Sequence, residues 1–339
     1  MDKITLQDPL DMHLHLREGA LLKAILPFSA QIFSAALIMP NLTTPIMTTK
    51  QALEYKVEIE SLSAHFKPLI ALYLHQGLNR QELEQAKAAG LFLLKLYPKN
   101  ATTNSDQGIS NILSPHMLKI LEIAQNLGFI LCIHAEDHGF VLDREYNFHP
   151  ILIALAEEFP YLKIIIEHIS DARSIFLLER YSNLYATLTL HHIALNLDHL
   201  AGSALNPHLF CKPLLKTPKD QRALLNLALN AHPKIAFGSD SAPHLIAYKH
   251  THACSAGIFS APILLNALCS LFEKHQALDK LQSFISQNAM RIYGLKDIPH
   301  KTITLIKKPP SPPKLPDGLY MPQIFPLNWS VDAICSHLL

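Results

Sequence analysis

The sequence predicts an α/β protein built as a (β/α)8 barrel, and three observations carry that expectation. Eight short apolar, often β-branched runs recur along the chain, at 12–16, 35–39, 69–74, 91–96, 129–133, 163–167, 185–190 and 235–238. Most are continuous rather than alternating, as in strands buried on both faces. Segments of helical period separate them, at 21–30, 51–61, 80–89, 116–127, 151–158, 171–181 and 220–231. Such alternation fits a closed parallel barrel, although a doubly wound open sheet alternates in the same way.

Asp171 stands where an N-cap follows a strand. Residues 261–294 read as two further helices and 302–306 as a short strand. The run Pro309-Pro310-Ser311-Pro312-Pro313 can continue neither a helix nor a central strand. The expected organisation is a barrel over residues 1–300 and a short, proline-rich C-terminal extension over 301–339, packed outside the catalytic core.

Composition narrows the function classes. A chain of 339 residues, 49% hydrophobic and 17% charged, folds around a large core. A net charge of +1 gives no strong field for nucleic acid or an anionic membrane. The N-terminus lacks an apolar signal core and no apolar run approaches a membrane span, so a soluble cytoplasmic protein is expected. Cys132, Cys211, Cys254, Cys269 and Cys335 are widely spaced with no CxxC pair, which fits reduced thiols rather than a disulfide frame.

The informative residues are polar and sit at the carboxyl ends of the apolar runs, the face on which barrels build their sites. Run one carries His13 and His15, two apart and therefore on one strand face. Run four contains Lys95, an ammonium inside Leu93-Leu94-Lys95-Leu96, where a charge is costly. Runs five, six and eight are followed by His134, His168 and Asp240. Taken singly, each has a structural explanation: hydrogen-bonded core histidines, a lysine whose stem reaches the barrel mouth, a turn aspartate. Six on one face point instead to a metal site. Four imidazoles with anionic oxygen donors suit zinc first. Burial leaves a lysine as a nucleophilic amine, and its carbamate with carbon dioxide would offer two oxygens to two metals.

These residues, His134 apart, lie in motifs that resemble the shorter-class (class II) bacterial dihydroorotases of the amidohydrolase superfamily. The stretches are Asp11-Met12-His13-Leu14-His15-Leu16-Arg17, Met39-Pro40-Asn41, Lys95-Leu96-Tyr97-Pro98 with Asn100-Ala101-Thr102-Thr103-Asn104, Glu167-His168-Ile169, Asn206-Pro207-His208, and Gly238-Ser239-Asp240-Ser241-Ala242-Pro243-His244. The resemblance implies a distorted TIM barrel and a homodimer. It implies two zinc ions, one on His13, His15 and Asp240 and the other on His134 and His168, bridged by a carboxylated Lys95 and a hydroxide. It implies reversible cyclisation of N-carbamoyl-L-aspartate to L-dihydroorotate plus water in pyrimidine (UMP) synthesis, with Asp240 as general acid and base. Arg17, Asn41 and His244 would grip the substrate carboxylate, Thr102 and Thr103 would tip a closing loop, and backbone near Lys212 and Ala256 would meet the ring edge. Hydantoinase and allantoinase types share the metal set, but the carboxylate grip argues against them. The chain departs from the pattern at Glu18, at His191-His192 and at Lys212, where an apolar residue is common.

Overall fold

The computed structural model describes residues 2–337. A strand outside the barrel, β1 (Lys3–Gln7), opens the chain. The barrel strands are β2 (Leu10–Leu14), β3 (Ala35–Ile38), β4 (Lys67–Ile70) with its continuation β5 (Leu72–Tyr73), β6 (Leu93–Leu96), β7 (Ile130–Ile133), β8 (Lys163–Ile166), β9 (Leu184–Leu188) and β10 (Ile235–Phe237). They pair in parallel as two arcs, β2-β3-β4 and β5-β6-β7-β8-β9-β10. One junction of the arcs is the break at Ala71 within the third barrel strand. At the other, the Asp240 N–H donates to the His13 carbonyl at 2.8 Å and the His15 N–H to the Ser241 carbonyl at 3.3 Å. The fold is therefore a distorted (β/α)8 barrel, with a register shift between Asp11 and Leu14 in β2.

Burial on both faces explains the continuous apolar runs. Leu93, Cys132, Ile165 and Ala236 pack with Leu10, Met12 and Leu37 in one buried cluster inside the barrel. Leu94, Leu131, Ile164 and Phe237 belong to the larger core that includes the helices. Lys95, two residues after Leu93, shares its inner face.

Side-chain caps start two of the helices, each two residues ahead of the start expected at 51 and 220. Thr48 and Gln51 form a reciprocal capping box on Thr49–Leu62, and Thr217 with Asp220 does the same on Pro218–Leu229. Asp171 accepts from the Arg173 N–H, but it caps a short 3-10 turn, Ala172–Ser174, that leads into Ile175–Arg180. The first barrel strand begins at Leu10, ahead of the expected 12–16, and the chain has left it by Arg17, whose φ is +59°.

The C-terminal segment was only partly legible. The strand expected at 302–306 is β11 (His300–Ile306), paired antiparallel with β1 on one edge and β12 (Ser330–His337) on the other. Neither β1 nor β12 was expected, because neither carries a run of apolar residues. This sheet is tied to the barrel by buried anchors. Trp329 Nε1 donates to Glu273 Oε2 at 3.0 Å, and Lys301 Nζ donates to the Phe33 carbonyl at 2.6 Å and to the Ala30 carbonyl at the end of helix Gly19–Ala30.

Lysines scattered in sequence also meet at the end of the barrel away from His13 and Asp240. Lys56, Lys67, Lys87, Lys163 and Lys296 rim a cleft of about 610 Å3. Three have structural work there: Lys87 donates to the Gly128 carbonyl at 3.1 Å, Lys163 to Ile292 at 2.7 Å, and Lys67 to Asp297. They satisfy carbonyls at or just beyond helix ends.

Gly238 makes the β2–β10 seam possible. A Cβ there would lie 2.9 Å from His13 Cβ and 3.2 Å from Thr187 Cβ. Gly238→Ala is expected to destabilise the fold by roughly 1–3 kcal/mol through overpacking. Urea unfolding would check this; a loss under about 0.5 kcal/mol would mean the seam has slack.

Candidate metal centre and ligand pocket

Four imidazoles and a carboxylate converge at the barrel mouth, His13 and His15 from the end of β2 and His134, His168 and Asp240 from the segments just after β7, β8 and β10. His13 Nδ1 lies 2.8 Å from Glu167 Oε2, and Thr187 Oγ1 donates to the same oxygen at 2.6 Å. An ionised carboxylate only accepts, so Nδ1 carries the proton and Nε2 keeps its lone pair. Burial pushes Glu167 up, but His13 and Lys95 outweigh it and hold its carboxyl below the ordinary value. His13 Nε2 faces Asp240 Oδ1 at 3.5 Å, and His15 Nε2 faces the same oxygen at 3.1 Å. The three donor atoms of His13, His15 and Asp240 lie within 4.8 Å of one another.

The same logic sets the second pair. His134 Nε2 lies 2.8 Å from Glu136 Oε2, which leaves Nδ1 as the free lone pair, 3.3 Å from His168 Nε2. Burial holds both His134 and His168 below the ordinary histidine value, His168 strongly so. The His168 ring centroid is 4.7 Å from that of His13, so the two groups adjoin. Asp240 is raised by burial, but the hydrogen bond from His15 and the nearby His13 and His15 imidazoles prevail and hold it well below the carboxylate range.

Lys95 is fully buried, with no hydrogen-bond partner for Nζ and the Tyr97 ring centroid 5.1 Å away. Burial lowers its pKa although Glu167 and Asp240 pull the other way. It lies behind the pocket wall rather than on it. The wall itself includes His13, His15, His134, His168 and Asp240 together with Arg17, Asn41, Thr102, Thr103, Lys212 and Ala256. His244 stands one layer out. Its Nε2 is 2.9 Å from the Ala256 carbonyl and 3.1 Å from Arg17 Nη2. Burial and the Arg17 charge lower His244 to about 3, so it is neutral and donates to the carbonyl. Arg17 Nη2 then meets a protonated nitrogen instead of an acceptor, while Arg17 Nε donates to the Pro243 carbonyl at 3.1 Å. Asn41 donates to the Thr103 carbonyl at 3.0 Å, and its buried Oδ1 has no partner.

Three pocket residues hold left-handed backbone: Arg17 (φ +59°), His168 (φ +42°) and Asp240 (φ +46°). For residues with a Cβ this costs on the order of 1–3 kcal/mol each and is seen where surrounding structure over-determines a functional site.

A second group of potential donors, His191, His192 and Cys211, is also buried within 4.8 Å. Here His192 has no free nitrogen: Nδ1 meets Thr189 Oγ1 at 2.9 Å and Nε2 meets the Pro213 carbonyl at 3.0 Å. Cys211 donates to that same carbonyl at 3.2 Å. This is a packed hydrogen-bond cluster, and both ring nitrogens of His191 are without partners.

Sequence reasoning missed the residues that orient the donors. Asp11 accepts from the Ser239 N–H at 2.7 Å and the Ser239 hydroxyl at 2.5 Å, locking β2 to the Asp240 turn. Glu136 and Glu167 were available as carboxylates within two residues of a candidate histidine. Lys249 gave no local signal, yet its buried ammonium donates to the carbonyls of Phe210 (3.1 Å), Ser255 (2.9 Å) and Gly257 (2.9 Å) and so fixes the stretch that carries Ala256. Lys249→Met would leave these three carbonyls without their donor. A loss of about 2–4 kcal/mol is expected, with faster hydrogen exchange over residues 254–258; unchanged exchange there would show that the lysine does not hold this stretch.

No protein-family model matches the chain. Individual relatives do. A dihydroorotase from Helicobacter acinonychis is 61% identical over 307 residues, covering 91% of each chain. Among solved structures, a dihydroorotase from Campylobacter jejuni superposes with a TM-score of 0.91 at 40% identity, over 98% of both chains. A dihydroorotase from Saccharomyces cerevisiae, solved with 5-fluoroorotic acid, gives 0.92 at 32% identity over 98% of this chain and 99% of that one. Fold and donor set define a (β/α)8 barrel of the amidohydrolase type. Within that class, the chain belongs to the dihydroorotase family. Among the described residues, no helix is long and apolar enough to cross a membrane.

Proposed function

We propose that this chain interconverts N-carbamoyl-L-aspartate and L-dihydroorotate plus water, using two zinc ions. The observation that carries the substrate class is the cationic face of the pocket. Arg17 and Asn41 line the pocket together with the imidazole and carboxylate donors. A guanidinium there fits a carboxylate on the ligand. The relative solved with 5-fluoroorotic acid, a carboxylated pyrimidine, supports the same class.

The donor set fits the metals. His13, His15 and Asp240 would hold one ion and His134 and His168 the other, with a carboxylated Lys95 between them. Two features support this. His13 and His134 are each oriented by a buried carboxylate that frees the inward nitrogen, as metal-bound histidines commonly are. Lys95 Nζ is a buried amine without a partner, which carboxylation would turn into an anionic donor. Bound metal would supply Lewis acidity, polarising the ring carbonyl and making water nucleophilic near neutral pH.

The chain's own groups do the rest. Arg17 and Asn41 fix the ring through its carboxylate, presenting the amide carbonyl to the donor side. In ring opening, water adds to that carbonyl carbon and the carbon–nitrogen bond breaks. Asp240, held ionised, takes the water's proton and gives it to the leaving nitrogen. In ring closure Asp240 takes the proton from the attacking nitrogen and returns it to the departing oxygen. Thr102 and Thr103 cover the site and exclude bulk water.

Assays of dihydroorotate beside hydantoin and allantoin are expected to show turnover of dihydroorotate alone, with Arg17→Met raising KM at least roughly tenfold. No turnover of dihydroorotate by the zinc-loaded protein would sink the reading. Metal analysis is expected to find two zinc ions per chain, with Lys95→Ala binding fewer. Glu167→Gln should weaken zinc binding about 10–100-fold; unaltered affinity would remove Glu167 from the site.

A further inference from the structure

The pocket between Arg17 and Asp240 retains about 20 Å3 of free volume, room for about one water molecule. No pyrimidine-sized ring enters such a space, so part of the wall must move. The stretch from Asn100 to Ser105 is the part built to do so. Its neck is fixed: the Ile109 N–H donates to the Tyr97 carbonyl at 2.9 Å and the Lys99 N–H to the Ile109 carbonyl at 3.1 Å. Gly108 permits that closeness, since a Cβ there would lie 2.6 Å from the Tyr97 oxygen. Beyond the neck the chain turns on Asn100 (φ +62°) and Asn104 (φ +53°) and bonds chiefly to itself, with the Asn100 N–H on the Ser105 carbonyl at 2.9 Å.

Three side-chain hydrogen bonds join this flap to the walls. Two involve Asn41: its Nδ2 donates to the Thr103 carbonyl at 3.0 Å, and Asn104 Nδ2 donates to its carbonyl at 3.1 Å. The third comes from the segment between β9 and β10, where Lys212 Nζ donates to the Ala101 carbonyl at 2.9 Å. It alone of the three is charge-assisted, and it clasps the other side of the flap.

We propose that Lys212 is the latch of this flap: a positioning residue whose ammonium holds the Ala101 carbonyl, keeps Thr102 and Thr103 over the ligand, and must let go for ligand to pass. Its ammonium is thus directed at the protein's own backbone, and the carboxylate grip is left to Arg17 and Asn41. The consequence for turnover rests on the dihydroorotate reaction proposed above; the latch itself does not.

The test compares the zinc-loaded protein with Lys212→Met, which keeps the stem and removes the donor, and with Lys212→Arg, which restores one. Hydrogen exchange over residues 100–106 is expected to rise several-fold to tenfold in Lys212→Met, with β6 and β7 unchanged and Lys212→Arg close to the parent. KM for dihydroorotate is expected to rise about as much, with a smaller change in kcat. Unchanged exchange over 100–106 overturns the latch, as does a rise spread evenly through the barrel. A local rise in a protein that does not turn over dihydroorotate would leave the latch standing and remove the proposed reaction instead.

Discussion

The hydrogen bonds from the Asp240 N–H to the His13 carbonyl and from the His15 N–H to the Ser241 carbonyl close the barrel and bring His13, His15 and Asp240 together. β2 and the turn after β10 lie at opposite ends of the strand order, so their side chains meet only when the ring closes. Two features make the approach possible. Gly238 removes the Cβ that would collide with His13, and Asp11 accepts both the N–H and the hydroxyl of Ser239 across the seam. The donor set of His13, His15 and Asp240 is thus a property of barrel closure. Stability and site geometry share the same few atoms.

Burial then decides protonation. Removed from water, His15, His134 and His168 favour the neutral form and Lys95 the free amine. Asp240 and Glu167 stay ionised because imidazoles lie against them. Glu167 and Glu136 fix which nitrogen of His13 and His134 carries the proton, and so which lone pair points inward. Buried polar groups of this kind stabilise poorly as a fold device. Their arrangement is intelligible as preparation for a cation, with part of the cost visible as left-handed backbone at His168 and Asp240.

The polar face of the pocket has a different construction. Arg17, Asn41 and Lys212 engage neighbouring carbonyls through some of their donors: Pro243 for Arg17, Thr103 for Asn41 and Ala101 for Lys212. The donor side is held by rigid strand ends, whereas the opposite side includes a flap bonded through single hydrogen bonds. Rigid chemistry beside a movable cover reconciles an ordered donor set with passage of a ligand.

Much of this was legible in the sequence because it depends on local pattern. Strands buried on both faces are mostly apolar, so most of the barrel strands stood out as continuous runs. A lysine or histidine interrupting or ending such a run is conspicuous for the same reason, and Lys95, His134 and His168 were found that way. The edge strands β1 and β12 were not legible, since partly exposed strands need no apolar run. Nor were Asp11, Glu136 or Lys249 as site-building residues, because a polar side chain acquires such a role only from the carbonyl or imidazole brought against it. The sequence by itself determined which residues could bind, and at which strand ends they stand. The tertiary structure alone decided which nitrogen faces inward, which carboxylate orients it, and which lysine holds the flap, because those are contacts between residues far apart in the chain.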